Sequence, residues 1–123
     1  MYGTQGTAAA GNAPGPRWGS VPWIDGAGNL WLLGGKGRDS AGVEGNLNDL
    51  WRYSPGSGQW TWVGGMDTAN NAGVYSTPGS PGVPGGRFSP ASWIDGAGKL
   101  WLFGGYGVDS AGASGNLNDL WVY

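Results

Sequence analysis

Histidine and cysteine are both absent from these 123 residues. Without histidine the commonest general base is missing. Without cysteine there is no thiol nucleophile, no disulfide and no thiolate to hold a metal. Charge is scarce too: charged residues make up 11% of the chain, and six Lys and Arg against eight Asp and Glu leave a net charge of −2. The cations are scattered, so no basic stripe offers a face to nucleic acid. No apolar run reaches the length of a membrane span, and the opening MYGTQGTAAAG lacks the charged-then-apolar pattern of a signal peptide. These absences argue against an enzyme, a cofactor, a nucleic-acid partner and a membrane partner. The redox compartment stays open.

Glycine and tryptophan are what the chain has in quantity, 28 and 9 residues. Glycine and proline together reach a level at which disorder has to be considered. Disordered chains, however, are poor in aromatics, whose burial offsets the entropy lost on ordering. Here the tryptophans recur at matched positions inside short apolar runs. Small ordered sheets joined by Gly-rich loops are therefore expected.

The matched positions come from a repeat. Residues 17–53 align without a gap on residues 87–123, at a constant offset of 70, and about two-thirds of the aligned positions are identical. WIDGAG (23–28, 93–98) and GNLNDLW (45–51, 115–121) are shared blocks. Units repeated in this way bury their apolar faces mainly against neighbouring copies, and arrays usually hold three or more. Two copies point to an incomplete ring or to self-assembly.

Within each copy the apolar runs are short and bounded by turn residues, as strands are. A first strand ends at Trp23 and Ile24, a tight turn follows at 25–28, and a second strand runs over 29–33 until Gly34 and Gly35 stop it. A loop of about a dozen residues leads to a third strand over 49–53. A turn at 54–58 then leads to a fourth over 59–63, with Trp60 and Trp62 on one face. The second copy has matching strands up to 119–123, with Gly104 and Gly105 as its glycine pair and no counterpart of the fourth strand.

Four antiparallel strands per unit describe a β-propeller blade. Arginine opening the first strand, Gly-Gly after the second, Leu-Asn-Asp-Leu-Trp-x-Tyr in the third and tryptophan in the fourth together resemble the kelch repeat, over residues 17–63 and 87–123. The spacing of 70 exceeds the usual kelch period of about 50. The resemblance implies an all-β fold of two blades, four-stranded over 17–63 and three-stranded over 87–123, forming part of a ring. Residues 1–16 are then an N-terminal linker and 64–86 an inter-blade loop. It also implies that the loop between second and third strands and the loop between blades share one face, where partners bind. Kelch-like oxidases that use copper with tyrosine, histidine and cysteine ligands require residue types this chain does not have.

Residues of interest fall into two groups. Arg17, Arg87, Asp49 and Asp119 recur at identical repeat positions, which suits ion pairs that brace the blades. Gly34, Gly35, Gly104 and Gly105 suit close backbone packing, and Trp51 and Trp121 the core. Asp25 and Asp95 suit turns, where aspartate bonds local backbone. Asp39 and Glu44 put two carboxylates in one loop that could hold calcium weakly, but Ser114 stands for the glutamate in the second copy, and a solvated loop is the preferred reading. Where the copies differ, at Lys36 against Tyr106, Arg38 against Val108 and Glu44 against Ser114, the loop could present changeable side chains or could simply have drifted. Lys36, Arg38, Glu44, Tyr75 and Tyr106 are the ligand candidates. The expected function is a non-catalytic building block that assembles with itself, with a trimer favoured and a tetramer next. The alternative is a piece of a larger propeller that binds a protein or a carbohydrate.

Overall fold

Four five-residue turns of the form Asp-x-Ala-Gly-x fold this chain back on itself, twice in each repeat. They begin at Asp25, Asp39, Asp95 and Asp109. In each, one carboxylate oxygen accepts the backbone N–H groups two and four residues on, at 2.8–3.0 Å. The glycine sits at φ between 80° and 83°, a conformation that costs other residues about 1–2 kcal/mol. The carboxylate thus satisfies two donors while glycine supplies the left-handed step, the combination that closes a three-residue hairpin loop.

The computed structural model describes residues 1–76 and 82–123, which form an all-β fold of antiparallel strands with no helix. In the first repeat these are β1 (Ala8–Ala9), β2 (Arg17–Trp18), β3 (Val21–Ile24), β4 (Leu30–Arg38), β5 (Glu44–Ser54) and β6 (Gln59–Gly64). They make one six-stranded sheet in the order β1-β6-β5-β4, with β2 and β3 lying one after the other along the free side of β4. The second repeat has β7 (Arg87–Phe88), β8 (Ala91–Ile94), β9 (Leu100–Phe103), β10 (Tyr106–Val108), β11 (Ser114–Asn116) and β12 (Leu120–Val122). These fall into two three-stranded sheets, β8-β9-β12 and β7-β10-β11, divided at Gly104 and Gly105.

Three expectations change. The second strand does not stop at the glycine pair: β4 passes through Gly34 and Gly35 with a register shift and continues to Arg38. The expected dozen-residue loop is therefore a hairpin extension closed by the turn at 39–43, and Lys36, Arg38 and Glu44 stand on strands. Residues 1–16 are more than a linker, because β1 pairs with β6 and adds a strand outside the expected four. The single three-stranded sheet expected of the second repeat is split in two.

The glycine pair explains how a strand survives its own interruption. Gly34 lies at φ 57° and Gly35 at φ 101°, and a Cβ at Gly34 would stand 2.7 Å from the Leu47 carbonyl oxygen. Gly104 and Gly105 repeat this, with φ 66° and 89°, and a Cβ at Gly104 would stand 2.8 Å from the Leu117 carbonyl. Only glycine provides both the conformation and the clearance.

The apolar core lies between the repeats. Val21 and Leu33 of the first sheet pack with Leu100 and Leu102 of the second, flanked by Trp23, Leu50 and Trp121. Leu30 and Phe103 lie outside this core and are exposed.

The two glycine environments separate in a substitution experiment. At Gly42 a Cβ meets nothing within 4 Å, so Gly42→Ala carries only the conformational cost of about 1 kcal/mol. Gly34→Ala adds a backbone collision and is expected to destabilise several-fold more in denaturant unfolding. Equal losses would show that the tight approach at Gly34 is dispensable.

Candidate functional site

Each repeat is pinned by the same buried cluster. In the first, Arg17 reaches Asp49 with two parallel hydrogen bonds, 2.6 and 2.8 Å, and both side chains are almost wholly buried. The guanidinium also donates to the Gly34 carbonyl at 3.1 Å and, through Nε, to the Gly15 carbonyl at 3.1 Å. Asp49 further accepts the Trp51 indole N–H at 2.7 Å and the Tyr2 hydroxyl. The second repeat copies this set: Arg87 binds Asp119 at 2.6 and 2.7 Å and donates to the Gly104 and Gly85 carbonyls. The Trp121 indole N–H and the Tyr75 hydroxyl complete the donors to Asp119. Such two-pronged, fully partnered ion pairs are the form in which buried charge is tolerated.

Titration reflects this packing. Burial works against ionised Asp119, but the bonds from Arg87, Tyr75 and Trp121 outweigh it and hold the carboxyl well below its ordinary range. Burial, reinforced by Asp49, pushes the Tyr2 hydroxyl well above its ordinary value, and burial with the Asp119 bond raises Tyr75 in the same direction. Burial also opposes the charge on Arg17, yet Asp49 raises its affinity for the proton overall.

The structure brings Arg17 together with Asp49 and Arg87 with Asp119, and it buries Trp51. Tyr75 does not behave as a free loop side chain: its hydroxyl belongs to the Asp119 cluster. Tyr2 was missed, although the likeness between 2–6 (YGTQG) and 75–79 (YSTPG) is visible in the sequence and could have found it. Its ring meets Trp51 and Trp62 edge-on at 5.0 and 5.3 Å.

The turn carboxylates are occupied locally. Bonds from the Trp31 indole and from Asn29 bring Asp25 down to about 2, and the Trp101 indole with the Lys99 amide lowers Asp95. Asp39 caps its own turn and also accepts the Ala69 amide at 3.0 Å. Ser40 donates its amide to the Asp67 carbonyl at 2.8 Å. The 39–43 turn and the link between repeats therefore meet on one side of the molecule.

On that side three of the ligand candidates come together. Lys36, Glu44 and Tyr106 line a cleft of about 460 Å³ with Asn46, Asn70 and Ser114. Arg38 lies beside it, donating to the Gly42 carbonyl at 2.8 Å. An aromatic row crosses from one repeat to the other here: Trp18 to Phe88 at 4.6 Å, then Phe88 to Tyr106 at 5.6 Å. Lys36 Nζ lies 6.0 Å from the Phe88 ring centre. The cleft offers a cation, a carboxylate, amides and an aromatic ring, which suits polar recognition and supplies no general base of the histidine or thiol kind.

Apolar side chains are also exposed on two outer flanks. In the first repeat Val21, Trp23, Leu33 and Leu50 face the second repeat, where Leu100, Leu102 and Trp121 receive them. The same positions one repeat on, Ala91, Trp93, Phe103 and Leu120, are exposed. Phe103 is 45% accessible where Leu33 is 3%. Conversely Leu30 is 39% accessible where its counterpart Leu100 is 2%. Each repeat thus carries one donor face and one receiving face; among the described residues the donor face of the second is uncovered, while the receiving face of the first is open at Leu30 and closed at Trp51.

Removing either arginine leaves a buried carboxylate without its partner. Arg17→Ala and Arg87→Ala should each cost about 3–5 kcal/mol in denaturant unfolding, while Lys36→Ala should stay within about 0.5 kcal/mol. Small and equal effects would contradict the bracing role. Acid has a predictable sign as well. Asp25, Asp39, Asp95 and Asp119 all have folded pKa values below the unfolded carboxylate value of about 3.9. Their stabilisation is present above that value and is lost as pH falls through the folded ones. The thermal midpoint should be level from neutral pH to about pH 5 and should fall between about pH 4 and pH 2. A midpoint unchanged across that interval would contradict the assignment.

No family model matches the chain, and no curated protein matches it. Among solved structures the chain is similar to that of YjhT, with 24% identity and a TM-score of 0.53. The alignment covers 82% of this chain and 24% of that one, so this chain spans about a quarter of the length of the structure it matches. At that identity the likeness concerns the fold alone.

Proposed function

We infer that this chain is a non-catalytic building block: a pair of kelch-type propeller blades whose outer flanks meet further copies head to tail and so complete a ring. The observation that carries this reading is the contact between the repeats. The face that the first repeat buries on the second is the face the second leaves open, and the receiving surface it would need is open on the first at Leu30. Exposed apolar surfaces of this kind usually mark interfaces. Because the two faces differ, the contact is head-to-tail, and such contacts close when the rotation per chain divides a full turn. Propellers hold about four to eight blades, which allows two to four chains. Three is our preferred number and four the next.

A second reading has its own support. The chain aligns with about a quarter of a longer chain, as a piece of a larger propeller would. On that reading the same flanks are met by further blades of one polypeptide, and the Lys36–Glu44–Tyr106 cleft is where a protein or carbohydrate binds.

Light scattering over a concentration series distinguishes the readings. Assembly predicts a closed species of two to four chains at micromolar concentration, and Leu120→Asp should reduce it to monomer by placing a charge in the flank. A folded monomer across the whole series would refute self-assembly and favour the larger-propeller reading.

A further inference from the structure

We propose that the cleft between the repeats is a binding site for a small zwitterion of the α-amino acid class, with Lys36 taking the ligand's carboxylate and Glu44 its ammonium group. The proposal rests on that cleft being a recognition site, as in the second reading, and is independent of what covers the flanks.

Strand register puts the two charges on one face. Lys36 of β4 stands opposite Asn46 of β5, and Glu44 comes two residues before Asn46, so the three side chains project from the same side of the hairpin. Diagonal neighbours of this kind lie about 7–8 Å apart, within reach of long side chains. Lys36 and Glu44 nonetheless do not pair: the salt bridges among the described residues are Arg17–Asp49 and Arg87–Asp119. Lys36 Nζ lies over the Phe88 ring instead, 6.0 Å from its centre. Arg38, directly opposite Glu44, turns its guanidinium to the Gly42 carbonyl and stays outside the cleft.

Beside these charges the cleft is lined by an amide without a partner. Asn46 is only 7% accessible, yet its side-chain amide makes no hydrogen bond among the described residues. Its backbone is fully engaged by Asn70, whose Oδ1 accepts the Asn46 N–H at 2.9 Å and whose N–H donates to the Asn46 carbonyl at 2.7 Å. Asn70 holds this position at φ 61°, and a Cβ at Gly45 would stand 2.6 Å from its side-chain amide. Buried amides are as a rule bonded, so the donor and acceptor of Asn46 mark a place for a polar ligand. Tyr106 and Ser114 stand where a second Lys36 and Glu44 would be, so the charged pair occurs once per chain.

The ligand class follows from charge and shape. One cation and one carboxylate sum to zero, so an ion of either sign meets its like as well as its opposite, whereas a zwitterion meets two opposites. The one ring bordering the cleft, Tyr106, is tilted against Phe88 at 5.6 Å. Charges and amides therefore outnumber ring faces, and a neutral sugar would leave both charges unanswered. The volume of about 460 Å³ falls within the range of small-molecule sites, about 300–1,000 Å³.

The test titrates the L-amino acids with uncharged side chains, one at a time and at millimolar concentration, into the full chain by calorimetry. At least one should bind saturably, one per chain. Acetylating its amine or amidating its carboxylate should each weaken binding at least about tenfold, the worth of a charge-assisted bond. Glu44→Gln should bind the free amino acid as weakly and become indifferent to acetylation, while Lys36→Gln should become indifferent to amidation. Both variants should keep the wild-type thermal midpoint, since neither side chain is paired in the fold. No binding by any of these amino acids, or binding unchanged in both variants, would overturn the proposal. Binding of methyl glucoside in their place would also overturn it, while leaving the cleft a recognition site.

Discussion

Burying an arginine and an aspartate together strips water from both charges, and the structure depends on how completely that loss is offset. In each repeat the two-pronged Arg–Asp contact is only the centre. The guanidinium also donates to the carbonyl of the first glycine of the Gly-Gly pair and to one two residues upstream, while the carboxylate takes an indole N–H and a tyrosine hydroxyl. Arg17 therefore ties β2 to the kink in β4 and to β5, and Tyr2 draws the N-terminal segment onto the same point. With almost no charge elsewhere in the core, these two clusters fix where each strand must lie.

The turns set the second constraint. Four Asp-x-Ala-Gly-x loops give both hairpins of each repeat one geometry, so the strands leave them at the same relative placement. This matters for the flanks. Two repeats built alike bury the donor face of one on the receiving face of the other, and the leftover pair of faces must then be complementary as well. Ring completion is the proposal that follows from that equivalence.

Much of this was legible in the chain. Apolar runs broken by glycine, proline and aspartate implied antiparallel strands, and the recurrence of Arg17 and Asp49 as Arg87 and Asp119 implied a pair. The continuation of β4 beyond Gly34 and Gly35 was not legible, because glycine that breaks a strand and glycine that lets it pass a neighbouring carbonyl look the same in sequence. The distinction lies in Leu47, whose carbonyl approaches from another strand. Tyr75 looked like a loop side chain for a similar reason: its partner, Asp119, is 44 residues away. The gathering of Lys36, Glu44 and Tyr106 into one cleft depended on the packing of two repeats, which no local pattern encodes.

The central claim is that the contact between repeats recurs between chains, and cross-linking tests it most directly. Since the chain has no cysteine, Leu30→Cys on the receiving face and Phe103→Cys on the donor face each introduce a single thiol. When the two variants are mixed and oxidised gently, the account predicts disulfides between unlike chains, with each variant alone staying largely uncross-linked. Disulfides between like chains forming as readily, or none at all, would contradict it.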